Sequence, residues 1–157
     1  MERVRWVFLA YRLPREPSTP RITVWRKLRR LGVVQVVDGL VALPLDARTR
    51  EQLEWIADEV LDAGGESSLW IAEAASARVE RELAAQLAAA VAAEYVAVIV
   101  AAQAAAGESV THRRRTLAKL RREVHRIRAR DFFPPPESEL AVAAVEGLAA
   151  ALEAVSG

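Results

Sequence analysis

Between residues 109 and 131 the chain sets eight arginines and one lysine against two acids, Glu123 and Asp131. Guanidinium groups stay charged at any physiological pH, and their planar fork of donors matches phosphates and other oxyanions two bonds at a time. Helical spacing sorts the stretch. Turning about 100° per residue from Arg113, the side chains of Leu117, Leu120, Val124 and Ile127 fall inside about 80°, a narrow apolar seam. Arg114, Arg115, Lys119, Arg121, Arg122, His125, Arg126, Arg128 and Arg130 spread over the rest of the surface. Such a helix suits electrostatic capture of a polyanion, with Arg113, Arg114, Arg115, Lys119, Arg121, Arg122 and Arg126 as the phosphate contacts. A smaller cationic face recurs over 19–31, where Arg26, Lys27 and Arg30 oppose Val24, Trp25, Leu28 and Leu31. Arg26 and Arg30 are expected to assist the larger face.

A run of charge is ordinarily a solvated or salt-bridged face, so the location of its countercharge decides its meaning. The preceding helical stretch offers Glu80, Glu82 and Glu94 but also Arg78 and Arg81. The other source of acid is 46–63, with Glu51, Glu54, Asp58, Glu59 and Asp62. Two readings follow: the basic helix meets nucleic acid, DNA in particular, or it meets the acidic helix of another subunit or a separate partner, as an assembly module. Clustered arginines also suit a tetrahedral dianion such as chromate, although no spacing marks an enclosed pocket.

Other chemistries lack their parts. His112 and His125 are thirteen positions apart on different helical faces with no carboxylate at ligand spacing, so no metal site is expected. There is no cysteine, no Gly-x-Ser-x-Gly, no Ser, His and Asp grouping, and no Gly-rich phosphate loop. No cofactor and no enzymatic activity are expected. Trp6, Trp25, Trp55 and Trp70 each fall in a regular element, where core packing is the ordinary role. Phe132-Phe133 is read as an anchor for the turn that follows the basic helix.

The elements that must position these residues are legible from periodicity. At 157 residues and 52% apolar composition the chain can bury one compact core with a helical extension. Val4–Arg12 reads as a buried strand. Thr19 is the expected N-cap of a helix with Pro20 in its first turn and Gly32 beyond its end. Val33–Val37 and Leu40–Leu43 form a hairpin around Asp38-Gly39, the dipeptide of a type I′ turn. Asp46 caps a helix to about Ala63, with Leu53, Ile56, Ala57, Val60 and Leu61 inward, and Ser67–Ala72 is a fourth strand. The fold class is therefore α+β, a ferredoxin-like βαββαβ half over 1–75 followed by a three-helix extension over 76–157. The three helices run 76–106, 111–130 and 138–155, the last with Leu140, Ala144, Leu148 and Leu152 along one stripe.

Net charge is only +1, but it is segregated. Residues 1–45 hold nine basic and three acidic side chains, 46–108 four and twelve, 109–131 nine and two, and 132–157 none and four. Blocks of this kind speak to partners more than the total does. Leu83–Ala106 is mostly alanine and is interrupted by Gln86, Glu94 and Gln103, so no membrane span is expected. The opening MERVRW has no signal-peptide pattern. A cytoplasmic location follows as the expectation.

Trp6, Arg21, Trp25-Arg26, Leu28-Arg29, Leu31-Gly32, Asp38-Gly39, Leu43-Pro44, Glu94-Tyr95 and the run Ile127-Arg128-Ala129-Arg130-Asp131-Phe132-Phe133 together resemble the N-terminal domain of the chromate-resistance protein ChrB. The resemblance covers nearly the whole chain. It implies a ferredoxin-like domain with a helical tail, from a family of chromate-responsive regulators of resistance operons. It also implies that the further C-terminal domain of full-length members lies outside these residues, so chromate chemistry attributed to that domain is not expected here. The first half is similar, too, to the ferredoxin-like module of CRISPR-associated nucleases and of phenylacetate-type repressors. Those nucleases close their first strand with a metal-binding Asp, whereas Ala10-Tyr11-Arg12 stands here, which argues against metal-dependent cleavage. The expected function is a non-enzymatic regulatory domain that binds nucleic acid as a homodimer.

Overall fold

A computed structural model describes residues 3–156; Met1 and Glu2, part of the stretch searched for a leader sequence, lie outside the described residues. The chain is a mixed α+β protein with a four-stranded antiparallel sheet and five helices. In order these are β1 (Arg5–Arg12), α1 (Thr19–Leu31), β2 (Val34–Val37), β3 (Leu40–Pro44), α2 (Ala47–Asp62), β4 (Glu66–Glu73), α3 (Ala77–Ala105), α4 (Val110–Arg128) and α5 (Glu137–Ser156). Two compact units divide inside α3, one running to Gln86 and the other from Leu87 onward.

The first unit is built on the sheet, in the order β2-β3-β1-β4, with β1 central and antiparallel to both neighbours. Alternation along β1 sends Val7 and Leu9 to one face, and both are fully buried with Val41 and Leu43 of β3. Val24 and Leu28 of α1 and Leu53, Ile56 and Val60 of α2 complete this core. Each such side chain removed from water contributes about 1.5–3 kcal/mol. Ser67 Oγ donates to the Ala57 carbonyl at 2.9 Å, tying β4 to α2. The start of α2 is fixed by a capping box in which the Asp46 carboxylate accepts from Thr49 N at 2.7 Å while Thr49 Oγ1 accepts from Asp46 N at 2.9 Å. Thr49, fully buried, also donates to the Pro44 carbonyl at 2.6 Å.

Several local expectations are corrected. The N-cap of α1 is Ser18, not Thr19, and its side chain makes no capping bond. Gly32 does take the left-handed conformation, at φ 80°. In the β2–β3 hairpin Gly39 has φ 78°, but among the described residues no non-glycine residue has positive φ, so Asp38 does not, and the turn is not type I′. A register shift between Gln35 and Val37 absorbs the difference as a bulge. Trp55 and Trp70 are not core residues: they are 69% and 61% exposed. Trp55 shares an outward α2 stripe with Glu51, Asp58 and Asp62, and Trp70 alternates away from the helix-covered face of the sheet. Leu61 is also exposed, one position off the inward stripe that ends at Val60.

The second unit is a helical core of Val91, Tyr95, Val98, Ala102 and Ala105 from α3, Leu120, Val124 and Ile127 from α4, and Ala141, Val145 and Leu148 from α5. The inward stripe of α5 is therefore Ala141, Val145, Leu148 and Leu152, and Leu140 faces solvent. By length and composition alone, α3 is long and apolar enough to cross a membrane. Its alanines supply much of the apolarity without bulk; Leu83, Leu87, Val91 and Val98 are buried, whereas Val96 and Val100 are exposed.

Candidate nucleic-acid interface

Ser109 starts α4, its Oγ accepting from His112 N at 3.2 Å. Packing of Leu120, Val124 and Ile127 fixes the rotation of the helix and turns its cationic arc outward. Two rows result. Arg115, Lys119, Arg122 and Arg126 follow one another at i+4, i+7 and i+11, while Arg114, Arg121, His125 and Arg128 form a second, adjacent row. Every one of these eight side chains is exposed.

Arg113 is different. Leu117, Leu120 and Val124 stand at i+4, i+7 and i+11 from it, so Arg113 lies on the buried stripe rather than the cationic arc. It is half-buried, and its Nε is sequestered without a hydrogen-bond partner among the described residues. Less of Arg113 is open to an arriving phosphate than of the exposed cations, and helical spacing alone carries that signal.

Neutralisation on α4 is sparse. Arg126 pairs with Glu123, one turn away. Beyond the end of the helix, Arg130 pairs with Glu94 of α3. Among the described residues no carboxylate comes within ion-pair distance of Arg115, Lys119, Arg121, Arg122 or Arg128. Consecutive members of the first row are like charges at i+3 or i+4, each such pair costing a helix about 0.2–0.5 kcal/mol. Arg113, Arg114 and Arg115 also oppose the positive end of the α4 dipole, and the first turn contains no acid to offset them. An arriving polyanion relieves both penalties. Beside the first row lies an open groove of about 460 Å³ between the last turns of α3 and the start of α4, with His112, Arg115, Lys119 and Glu108 on its rim.

Two adjacent dipeptides hold the far end of α4 in place. Tyr95 is fully buried, and its hydroxyl donates to Asp131 Oδ2 at 2.7 Å while Glu94 takes Arg130. Burial, then the hydrogen bond and charge of Asp131, push the Tyr95 hydroxyl up to about 12, with Arg128 and Arg130 pulling the other way. Glu94-Tyr95 and Arg130-Asp131, 36 residues apart, are thus one clasp. Sequence reading marked both dipeptides without connecting them.

On α1, Arg26 and Arg30 are exposed one turn apart, while Lys27 between them pairs with Glu59 of α2. They belong to the first unit and the α4 residues to the second. The structure brings the α4 set together on one surface without Arg113, and leaves Arg26 and Arg30 as a separate pair. Among the described residues no group of three or more His, Asp or Glu side chains is arranged to hold a metal.

The protein family described as "Protein ChrB, N-terminal" matches residues 21–109, more than half of the chain, from α1 to the cap of α4. No curated protein and no solved structure gives a significant match. The arginine rows of α4 lie beyond the matched residues, and the family match does not bear on them.

Proposed function

The chain belongs to the ChrB N-terminal family, and from that premise we propose that it is a non-enzymatic, cytoplasmic regulatory domain that binds DNA through α4. In this reading the first unit is a ferredoxin-like scaffold, its strand order β2-β3-β1-β4 and alternating helices being consistent with that arrangement. The domain acts as a homodimer in the chromate-resistance setting of its family. Arg114, Arg115, Lys119, Arg121, Arg122 and Arg126 contact phosphates, joined by Arg128 and assisted by Arg26 and Arg30. The observation that carries the reading is the exposed guanidinium surface of α4, five of whose cations have no carboxylate within reach among the described residues. Phosphate contacts give affinity and position and leave sequence choice to base contacts, so no operator is assigned.

The assembly reading keeps one observation of its own. Trp55 stands exposed on the acidic outer stripe of α2, the kind of aromatic that anchors a protein interface, and a basic helix complements its surroundings. Gel-shift binding to random duplex DNA, run beside solution mass on the Arg121→Glu/Arg122→Glu variant, separates the two. Loss of DNA retention with unchanged mass supports the nucleic-acid reading. Loss of an oligomer with retention intact replaces it by the assembly reading.

A further inference from the structure

The two edges of the sheet are built differently. The β2 edge is four residues long and is broken by the bulge between Gln35 and Val37, devices that blunt an edge against further pairing. The β4 edge is eight residues in unbroken register with β1, from Arg5↔Glu73 to Arg12↔Glu66. It contains no proline, glycine or lysine, and its outer side pairs with no strand among the described residues. Trp70 and Ile71, 61% and 39% exposed, project to opposite faces of this edge. A helix laid on the sheet would cover only one of them. A strand added alongside supplies cross-strand neighbours on both faces.

We propose that β4 pairs antiparallel with β4 of a second copy of this chain, with the two-fold axis at Trp70, making one continuous eight-stranded sheet. The strand's chemistry is roughly symmetric about Trp70: Leu69 and Ile71 flank it, and an acid stands toward each end, Glu66 beyond Ser67 and Ser68 on one side and Glu73 beyond Ala72 on the other. Residues directly opposite across an antiparallel pair share a face, so a symmetric register must centre on a residue. Centred on Trp70, Leu69 meets Ile71 of the second copy, Ser68 meets Ala72, and Ser67 meets Glu73. Glu66 falls opposite Ala74, so no two acids face one another. The two Trp70 indoles, each already held along its own strand by a 2.9 Å bond from Nε1 to Ser68 Oγ, become a cross-strand aromatic pair. The contact is isologous and closes at two copies. It uses no α4 residue and stands independently of the DNA reading.

The chain contains no cysteine, so single cysteines report the register directly. Residues directly opposite in an antiparallel pair lie about 4.5–5.5 Å apart, a span a disulfide bridges. Trp70→Cys is expected to form a covalent dimer under mild oxidation. Glu66→Cys, whose symmetry mate is eight residues away along the strand, about 26 Å, is expected not to. Sedimentation of the intact wild-type chain is expected to give about 34 kDa, twice the 17.2 kDa of one copy. Ile71→Lys, at an exposed position, is expected to raise the dissociation constant at least about tenfold with an unchanged circular dichroism spectrum. A wild-type chain that stays monomeric, a dimer indifferent to Ile71→Lys, or Glu66→Cys cross-linking as fast as Trp70→Cys each overturns the proposal.

Discussion

Helices α1 and α4 both present exposed arginines opposite an apolar stripe, yet their neighbourhoods differ. The α1 helix packs beside the acidic helix α2, and Lys27 between Arg26 and Arg30 is taken by Glu59. The α4 helix packs beside α5, whose acids Glu137, Glu139, Glu146 and Glu153 come within ion-pair distance of none of Arg115, Lys119, Arg121, Arg122 and Arg128. Density of positive charge alone does not distinguish the two helices, since α1 carries five Lys and Arg in 13 residues and α4 eight in 19. What differs is the neighbouring acid: α2 reaches α1 at Lys27, although Arg26 and Arg30 have no carboxylate within ion-pair distance among the described residues, whereas no α5 acid reaches the five α4 cations.

The largest expected effect breaks this comparison outright if it fails. Arg121→Glu/Arg122→Glu is expected to weaken duplex DNA binding about 100-fold or more at 50 mM salt, two released counterions being lost. The equivalent Arg26→Glu/Arg30→Glu variant is expected to cost several-fold at most, measured by fluorescence anisotropy under the same conditions. Equal losses would dissolve the distinction between the helices.

Next in size is the clasp that seats the end of α4. Tyr95→Phe leaves the Asp131 carboxylate, whose Oδ1 is already buried without a partner, short of its one hydrogen bond. Thermal or denaturant unfolding is expected to show a loss of about 1–3 kcal/mol. The pH dependence identifies the cause. The hydroxyl holds its proton more tightly in the fold than its ordinary value of 10, so its contribution is complete below pH 10 and is lost as pH climbs toward about 12. In the phenylalanine variant that alkaline decline disappears.

Two smaller changes convert one helix toward the other. Glu59→Lys removes the countercharge of Lys27 and is expected to raise DNA affinity several-fold, making α1 resemble α4. Ala118→Glu, at an exposed position three and four residues from Arg121 and Arg122, gives α4 the local acid it lacks. It is expected to stabilise the helix by about 0.2–0.5 kcal/mol per pair while weakening DNA binding several-fold.

Much of this layout was written in local pattern. The order of strands and helices, the Gly32 stop, the Asp46 cap and the apolar seam of α4 all depend on residues within a few positions of each other. The misses have a common physical root. Apolar indole alone places Trp55 and Trp70 inside, but the helical phase of Trp55 points outward, and Trp70 lies on the edge strand, exposed on the same sheet face that buries Trp6 on central β1. Leu61 and Leu140 each sit one step off their buried stripes. Arg113 sits on one and is half-buried there, as its helical phase requires. The Tyr95–Asp131 bond and the Glu94–Arg130 pair join residues 36 apart, and no local period encodes such a meeting. Similarly, the exposed β4 edge follows from the strand order of the sheet and not from the composition of β4.

The central claim is that α4 holds phosphates by charge, and a salt titration of binding to random duplex DNA tests it most directly. With six phosphates neutralised, log affinity against log salt is expected to fall with a slope of about −5, a loss of about 10³-fold between 50 and 200 mM. A flat response over the same range, at any affinity, would contradict the account.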